Sequence, residues 1–292
     1  MSPEKTSIPK GVSVSLWVAA VALMLAAGAY QERTGPTKEL RGEFEVAGSP
    51  FEYEIIRSHN STGDAPIAVP WPGLPITGHV FWKRLGTQDE FTSVTMAVRE
   101  GELVGMLPAQ PAAGKLEFYV QLGGGAEPAR IQDGEDPIVI RFKDPVSPFV
   151  LVPHIAFMFF AILFGIRTAL GAGLGHDVRR LSWTTLTLMT VGGMCLGPIV
   201  QKQAFGAYWT GFPWGYDLTD NKTLIMWVVW VAAVGVLQWK EEAKRLGRAV
   251  VLVGALVMMV VYLIPHSMRG SELDYDQVDQ GISAEDAVTT GN

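Results

Sequence analysis

The sequence has few charged residues and a single cysteine. Asp, Glu, Lys and Arg make up 18% of its 292 residues, whereas in a typical soluble domain they make up about 25%. One cysteine, Cys195, excludes an internal disulfide and the zinc motifs built on several cysteines. The net charge of -6 and the lack of a basic cluster argue against a nucleic-acid partner. The deficit of charge is concentrated in apolar blocks, which is typical of membrane spans.

Five apolar blocks are the main feature of the chain. A membrane-spanning helix needs about 20 mostly apolar residues, and the two shorter blocks gain length from flanking Trp, Tyr and Lys side chains that reach the interface. We therefore predict a multi-pass protein in contact with the lipid bilayer, with one N-terminal helix and a four-helix region over residues 149–265. The predicted spans are residues 11–30, 149–170, 182–200, 223–239 and 249–265.

The loops between these spans differ in basic residues, and this difference predicts the orientation. Nine bases lie in segments assigned to the inside and three in short segments assigned to the outside. Residues 1–10 are then cytoplasmic, while residues 31–148, the outer loop 201–222 and the acidic tail 266–292 are extracytoplasmic. The inside bases are Lys5, Lys10, Arg167, Arg179, Arg180, Lys240, Lys244, Arg245 and Arg248, and the outside bases are Lys202, Lys222 and Arg269.

The N-terminal block also has features of a signal peptide. Lys5 and Lys10 precede an apolar run that ends in the small residues Ala27-Gly28-Ala29. The run is longer than a usual signal core, which favours an uncleaved anchor. The residues that follow are exported under either interpretation.

Residues 31–148 are predicted to hold an extracytoplasmic β-sandwich with linkers. Apolar residues alternate there, and turn residues such as Gly86 and Gly101 separate the runs. Six visible strands, with room for one or two more, are typical of an immunoglobulin-like or fibronectin-like sandwich. The predicted strands are residues 51–56, 79–82, 91–98, 102–107, 115–122 and 138–142.

Two similar tetrads mark the outer ends of predicted helices. Leu151-Val152-Pro153-His154 opens the second span and Leu263-Ile264-Pro265-His266 closes the fifth. Proline suits the first turn of a helix and also ends one, so both histidines are expected near the outer interface. They are either ordinary interfacial histidines or a pair of ligands at one depth.

The segment 205–223, between the third and fourth spans, is dense in aromatic residues and glycine. An aromatic belt explains its Trp and Tyr residues, but not its glycines, Pro213 and the pair Asp217 and Asp220. The two acids either cap the fourth helix or contribute to a binding site. The tail after Arg269 carries six acids and no base, and is expected to be solvated and flexible.

Parts of this segment resemble the tryptophan-rich WWD segment of haem-handling proteins in cytochrome c biogenesis. The similar residues are Gly206 to Trp209, Trp214 to Asp217 and Thr223 to Trp227. The resemblance implies haem held by two flanking histidines at the outer face. The spacing is stretched, Asp217-Leu218-Thr219-Asp220 replaces the usual Asp-Pro-Lys-Glu, and the spans are fewer than in that family. The whole chain also resembles an uncharacterised group of bacterial inner-membrane proteins, which implies no activity.

Three functions follow as hypotheses. The first is a non-catalytic accessory or assembly subunit of a larger inner-membrane complex, with protein partners at the β-sandwich and outer face; it is favoured because the sequence has no phosphate loop or nucleophile triad. The second is a haem or metal site at the outer face. The third is a metal-assisted enzyme that uses the same histidines with Asp217, Asp220 or Glu272. The predicted cofactor residues are His154, His266, Trp209, Trp214 and Asp217, and the predicted metal ligands are His154, His266 and Asp220.

Overall fold

The computed structural model describes residues 9–35, 37–46, 49–123, 128–239, 244–265 and 270–290. The chain divides into two compact units, each built from segments distant in sequence. We call them the helical unit and the β unit. The helical unit comprises Met1–Gly35, Ser147–Val200 and Leu218–His266, and the β unit comprises Pro36–Val146, Gln201–Asp217 and Ser267–Asn292.

The helical unit contains five helices that are long and apolar enough to cross a membrane, counted over the described ranges. Each overlaps one predicted span, so the prediction of a membrane protein with five apolar helices is confirmed. The third is composite, because a π-helical segment interrupts it. The helices are α1 (Lys10–Thr34), α2 (Pro148–Gly173), α3 (Arg179–Met189) continuing through the π segment (Thr190–Leu196) into α4 (Gly197–Phe205), α5 (Leu218–Trp239) and α6 (Lys244–Leu263).

The core of the helical unit lies between α2, α3, α5 and α6. Trp230, Met189 and Ile162 are almost completely buried in it. Gly165 allows α2 to approach α6, since an added Cβ at this position would collide with the Met258 side chain. Other side chains of these helices are exposed along their length, as expected of a surface that faces lipid.

The β unit contains a strand at each of the six positions predicted from alternation, with the predicted strand 91–98 divided into two, together with several that alternation does not reveal. In β9, for example, every second residue from Leu116 to Leu122 is buried. The strands are β1 (Leu40–Val46), β2 (Ser49–Ile55), β3 (Ser58–Asn60), β4 (Ala65–Pro70), β5 (Thr77–Arg84), β6 (Thr92–Thr95), β7 (Ala97–Arg99), β8 (Glu102–Leu107), β9 (Lys115–Gly123), β10 (Ala129–Ile131), β11 (Ile138–Lys143), β12 (Glu272–Leu273) and β13 (Val288–Thr289).

These strands form one larger sheet and three smaller ones. The larger sheet has the order β3-β11-β9-β5-β6, with β10 paired to β9, and its only parallel pair among the described strands is β3 with β11. The smaller sheets are β4-β8-β7, β1-β2 and β12-β13. Mixed helix and sheet is therefore confirmed, whereas the immunoglobulin-like or fibronectin-like arrangement is not.

The acidic tail is folded over residues 270–290, and its predicted flexibility is wrong there. It contains β12, a short helix α7 (Tyr275–Asp279) and β13. Leu273, Tyr275 and Ala287 form a small buried cluster. The tail also bonds to the rest of the β unit, for instance through the N–H of Leu273, which donates to the Ala113 carbonyl at 3.1 Å. Contacts between residues distant in sequence order a segment that its charge alone suggests is solvated.

The three pieces of the β unit are separated in sequence by pairs of candidate spans. Two lie between Val146 and Asp217, and two lie between Asp217 and Ser267. Because the pieces fold into one unit, they have to lie on the same side of a membrane if all five candidate helices cross it. An even number of crossings between successive pieces satisfies this requirement.

Candidate functional site

Asp217 lies in a buried polar cluster of the β unit. Its side chain is 3% exposed, and its Oδ2 accepts hydrogen bonds from Thr210 Oγ1 at 3.1 Å and from Ser271 Oγ at 3.3 Å. The Asp217 N–H donates to the Thr210 carbonyl at 3.1 Å. Gln201 Nε2 in turn donates to Thr210 Oγ1 at 2.7 Å. We call these four residues the Asp217 cluster; they join the end of α4, the following loop and the start of the tail.

A buried arginine accompanies this cluster. Arg141, on β11, is almost completely buried, and its Nε has no hydrogen-bond partner within the described part of the chain. Desolvation lowers the pKa of Arg141, and the negative charge of Asp217 opposes that shift. Its guanidinium carbon lies 5.0 Å from the centre of the Phe205 ring, within the range of a cation–π contact. The Asp217 carboxylate therefore compensates a buried cation as well as accepting hydrogen bonds.

The loop of residues 206–217, here called the aromatic loop, has several internal bonds. Trp209 Nε1 donates to the Phe212 carbonyl at 3.0 Å, and the N–H of Gly215 donates to the Gly211 carbonyl at 2.9 Å. The N–H of Tyr216 donates to Thr290 Oγ1 of the tail at 3.2 Å. These bonds and the Asp217 cluster hold the loop in a defined conformation.

The aromatic loop presents its large side chains to the outside of the β unit. Trp214 and Tyr216 are each 81% exposed, and Tyr208 and Phe212 are also exposed. Trp209 is half-buried. Trp214, a predicted cofactor residue, therefore belongs to an exposed surface within its own unit.

In the helical unit, His154 lies on α2 and contacts the π segment. Its Nδ1 is 2.9 Å from the carbonyl oxygen of Gly192. A carbonyl oxygen only accepts, so Nδ1 carries the hydrogen and the neutral ring keeps its lone pair on Nε2. Trp227 of α5 holds the same segment, because its Nε1 donates to Thr190 Oγ1 at 2.9 Å. π-Helical insertions are frequent at functional sites.

The second tetrad is held by a lysine that sequence reasoning missed. Lys222, in the second turn of α5, is buried, and its Nζ donates to the carbonyls of Ile264 at 2.6 Å and Pro265 at 3.0 Å. A cation at the C-terminal end of α6 is favourable because the last helical carbonyls lack intrahelical partners. In the sequence, Lys222 only precedes the fourth predicted span, and nothing there indicates that it contacts the end of the fifth.

The remaining predicted metal ligands are placed only in part. His266 lies outside the described residues. Asp220 lies in the first turn of α5 and is almost completely buried. No group of three His, Cys, Asp or Glu side chains suited to a metal ion occurs within the described ranges. His154 and Asp220 belong to the helical unit, whereas Trp209, Trp214 and Asp217 belong to the β unit.

The β unit also contains a cavity of about 330 Å³. Lys202 reaches its wall, where Nζ lies 3.1 Å from a Glu285 carboxylate oxygen and donates to the Gly206 carbonyl at 2.5 Å. The Ser61 hydroxyl donates to the Asp144 carboxylate on another part of the wall. These polar groups satisfy one another, and no feature of the cavity selects a ligand.

Comparison with protein-family models, curated proteins and solved structures gave no match to this chain. The resemblance to the WWD segment therefore remains local.

Proposed function

We propose that the protein is a non-catalytic accessory or assembly subunit of a larger membrane complex, in the bacterial inner membrane. The single observation that carries this proposal is the aromatic loop, which is braced internally and exposes four aromatic side chains. Its N-terminus is proposed to be cytoplasmic, with the β unit and tail facing the periplasm.

The chemistry of the loop suits a protein interface. Aromatic residues are enriched where proteins bind one another, and they contribute most of the energy at the centre of an interface. A braced loop loses little conformational freedom on binding, which favours affinity. Trp214 and Tyr216 are the most exposed aromatic residues of the loop and are therefore the proposed anchors.

The test is the size of the native assembly after mild detergent extraction. We expect the wild-type protein to migrate in a heavier complex, and the double variant Trp214→Ala, Tyr216→Ala to lose at least half of it. Trp71→Ala is the matched control, because Trp71 is an exposed tryptophan elsewhere in the β unit. A wild-type protein that migrates as an isolated monomer contradicts the proposal. An assembly unchanged in the double variant contradicts the role of the loop and favours a membrane-interface role for its aromatic residues.

The second candidate is a haem or metal site that uses His154 and His266. It is supported by the Nδ1–H of His154, which donates to a backbone carbonyl as metal-ligating histidines usually do. Asp217 fits such a site less well, because its carboxylate already accepts two hydrogen bonds and its charge interacts favourably with the buried Arg141. When bound, haem would supply redox chemistry, with His154 holding the iron through Nε2.

Visible absorption and metal analysis of the purified protein test this candidate. A Soret band that is lost in His154→Ala and His266→Ala, but kept in the control His79→Ala, supports the haem version. No Soret band in the wild type rules that version out. No metal retained after purification without chelators rules out the metal version.

We also propose that the β unit contains an immunoglobulin-like sandwich. This proposal is supported by the sheet orders β11-β9-β5-β6 and β4-β8-β7, which resemble those of the two sheets of such domains. Buried residues of both sheets, such as Ile67 and Leu103 in one and Phe118 and Ile140 in the other, belong to one apolar cluster. An experimental structure with these sheets packed face to face at about 10 Å would support the assignment, and sheets packed edge to edge would contradict it.

A further inference from the structure

Arg167, on α2, is a buried arginine without a counter-ion in the described part of the chain. The residue is 3% exposed, and its Nε and Nη1 atoms make no hydrogen bond there. No described carboxylate lies within ion-pair distance of it. Its guanidinium carbon lies 5.4 Å from the Trp17 ring of α1. A cation–π contact offsets only part of the cost of burying a cation among apolar helices.

The guanidinium of Arg167 points toward the end of α2, where the chain turns into α3. Its Nη1 lies 3.0 Å from the position that a Cβ on Gly171 would occupy. Gly171 is about one helical turn nearer the C-terminal end of α2 than Arg167 is. The His176 Cβ lies 4.0 Å from that same position. The guanidinium therefore lies near the end of α2, which ends at Gly173.

Two further side chains, one in the α2–α3 turn (residues 174–178) and one at the start of α3, have buried polar atoms without a partner among the described residues. They are Nδ1 of His176 and Oγ of Ser182, which lies in the first turn of α3. Buried polar atoms are normally hydrogen-bonded, and an ion or a water molecule is one of the explanations for an exception. The Arg167 and His176 side chains both border the Gly171 position, so a single group that accepts several hydrogen bonds accounts for the missing partners of both.

Charge identifies the class of that group. Arg179 and Arg180 follow the turn, and Arg248 reaches it, since its Nη1 lies 2.7 Å from the position of a Cβ on Gly175. Asp177 is the sole acid between residues 167 and 182. An oxyanion accepts several N–H and O–H donors at once, and arginine binds phosphate with particular preference. Basic pockets between membrane helices bind anionic lipid headgroups in this way.

We propose that a phosphate group binds at the α2–α3 turn, with Arg167 as its principal ligand and His176 beside it. The phosphate belongs either to a phospholipid headgroup or to a free phosphate ion. This site is independent of the aromatic loop and of His154, so the failure of either proposed function leaves it untouched.

The test is the thermal stability of the full chain in phosphate-free detergent during three titrations. The titrants are phosphatidylglycerol, inorganic phosphate, and diacylglycerol, which has the same tails but no phosphate. We expect phosphatidylglycerol or inorganic phosphate, but not diacylglycerol, to raise the melting temperature of the wild type. The effective titrant identifies the source of the group. Arg167→Met should weaken its apparent Kd at least about tenfold, because hydrogen bonds to a charged group are lost.

Two control variants make the result specific. Arg180→Gln removes an exposed arginine near the same turn and should change the Kd less than about threefold, within the effect of one surface charge. Arg167→Lys keeps the charge with fewer donors and should give a Kd between those of the wild type and Arg167→Met. This variant also tests the site if Arg167→Met fails to fold.

Several results would overturn the proposal. The first is a wild-type melting temperature that neither form of phosphate changes. The second is an equal loss of affinity in Arg180→Gln, which indicates a diffuse basic surface. The third concerns Glu241 and Glu242, which lie outside the described residues. In phosphate-free detergent, Arg167→Met and the double variant Glu241→Gln, Glu242→Gln are both compared with the wild type. If both are much less stable than the wild type and to the same extent, the counter-ion of Arg167 is a carboxylate of the chain itself and not a phosphate.

Discussion

At the scale of single residues, the burial of Asp217 is costly unless donors and a cation surround its carboxylate. Thr210 and Ser271 supply the donors, and Arg141 supplies the positive charge. Asp217 therefore has a structural role: its hydrogen bonds connect the aromatic loop to the tail, and its charge compensates Arg141 of the larger sheet. This role supports the proposed interface, because it keeps the exposed aromatic residues in place.

The first prediction concerns the charge of this cluster. In Asp217→Asn the amide oxygen still accepts a hydrogen bond, but Arg141 remains buried without a compensating charge. We expect the β unit to lose about 3 kcal/mol of stability, as when one partner of a buried ion pair is removed. Thermal unfolding followed by circular dichroism measures the loss. Asp276→Asn, on the exposed face of α7, should stay within about 0.5 kcal/mol of the wild type, and an equal effect of both variants would contradict the prediction.

The sequence indicates Asp217 and His154 as candidate residues but not their partners. Asp217 stands out because it is an acid in a run of aromatic residues, and His154 because its tetrad recurs near the end of the chain. Ser271, however, is 54 residues from Asp217, and Gly192 is 38 residues from His154. Hydrogen bonds over such separations depend on the packing of whole elements, which local patterns do not describe.

At the scale of elements, the tail docks through a buried tyrosine. The Tyr275 hydroxyl accepts a hydrogen bond from the N–H of Lys115 at 3.0 Å and donates to Gln110 Oε1 at 3.0 Å. Glu272 pairs with the Lys115 side chain at 2.6 Å, and Asp279 pairs with Arg84 at 2.8 Å. Arg84 lowers the pKa of Asp279 through this hydrogen bond. The acids of the tail are therefore partly matched by bases of the strands.

The second prediction follows from the burial of Tyr275, which raises its pKa well above the usual range. The folded tail holds the phenol proton more tightly than the unfolded tail does, so the tyrosine contributes its full stability below about pH 10, the unfolded pKa, and loses it above that value. We expect the tail to become sensitive to an alkaline-active protease as the pH rises above about 10.

Two tyrosine variants check this assignment. Tyr275→Phe should lose about 1–2 kcal/mol at neutral pH, because the Lys115 N–H is left unpaired, and its stability should fall less steeply above about pH 10 than that of the wild type. Tyr216→Phe, on an exposed tyrosine, should behave like the wild type. An unchanged alkaline slope in Tyr275→Phe would assign the transition to another group.

Elements with a strong local pattern are predictable from the sequence, and those held by distant contacts are not. The apolar block 149–170 becomes α2, and the alternation in 115–122 becomes β9. β4 is missed because two prolines interrupt its pattern, and α7 is missed because acids surround its single buried tyrosine. The π segment also has no signal, since its residues continue the apolar run of the third span.

At the scale of the whole molecule, the assembly of the β unit restricts the topology. Residues near β6, in the aromatic loop and in the tail belong to one unit, although pairs of candidate spans separate their segments in the chain. They must therefore face the same compartment. The positive-inside rule predicts, in line with the proposed orientation, that this compartment is the periplasm, because Arg179, Arg180 and Arg248 belong to the segments on the opposite side.

The third prediction is a pattern of cysteine labelling in intact cells. In a background in which Cys195 is replaced by Ala, single cysteines are placed at three exposed positions, Ser93→Cys, Asp276→Cys and Arg180→Cys. A maleimide that reaches the periplasm but does not cross the inner membrane should label the first two. The third should react only after the membrane is permeabilised.

The three positions separate two questions. If Ser93→Cys and Asp276→Cys differ in labelling, the strands and the tail lie in different compartments, and five crossings are wrong. If these two agree but only Arg180→Cys is labelled in intact cells, the five crossings stand and the orientation is reversed. The first result would also remove the common surface on which the proposed interface depends, because the aromatic loop is held to the tail through Thr290 and Ser271. The second would keep that surface intact and transfer its partners to the cytoplasm.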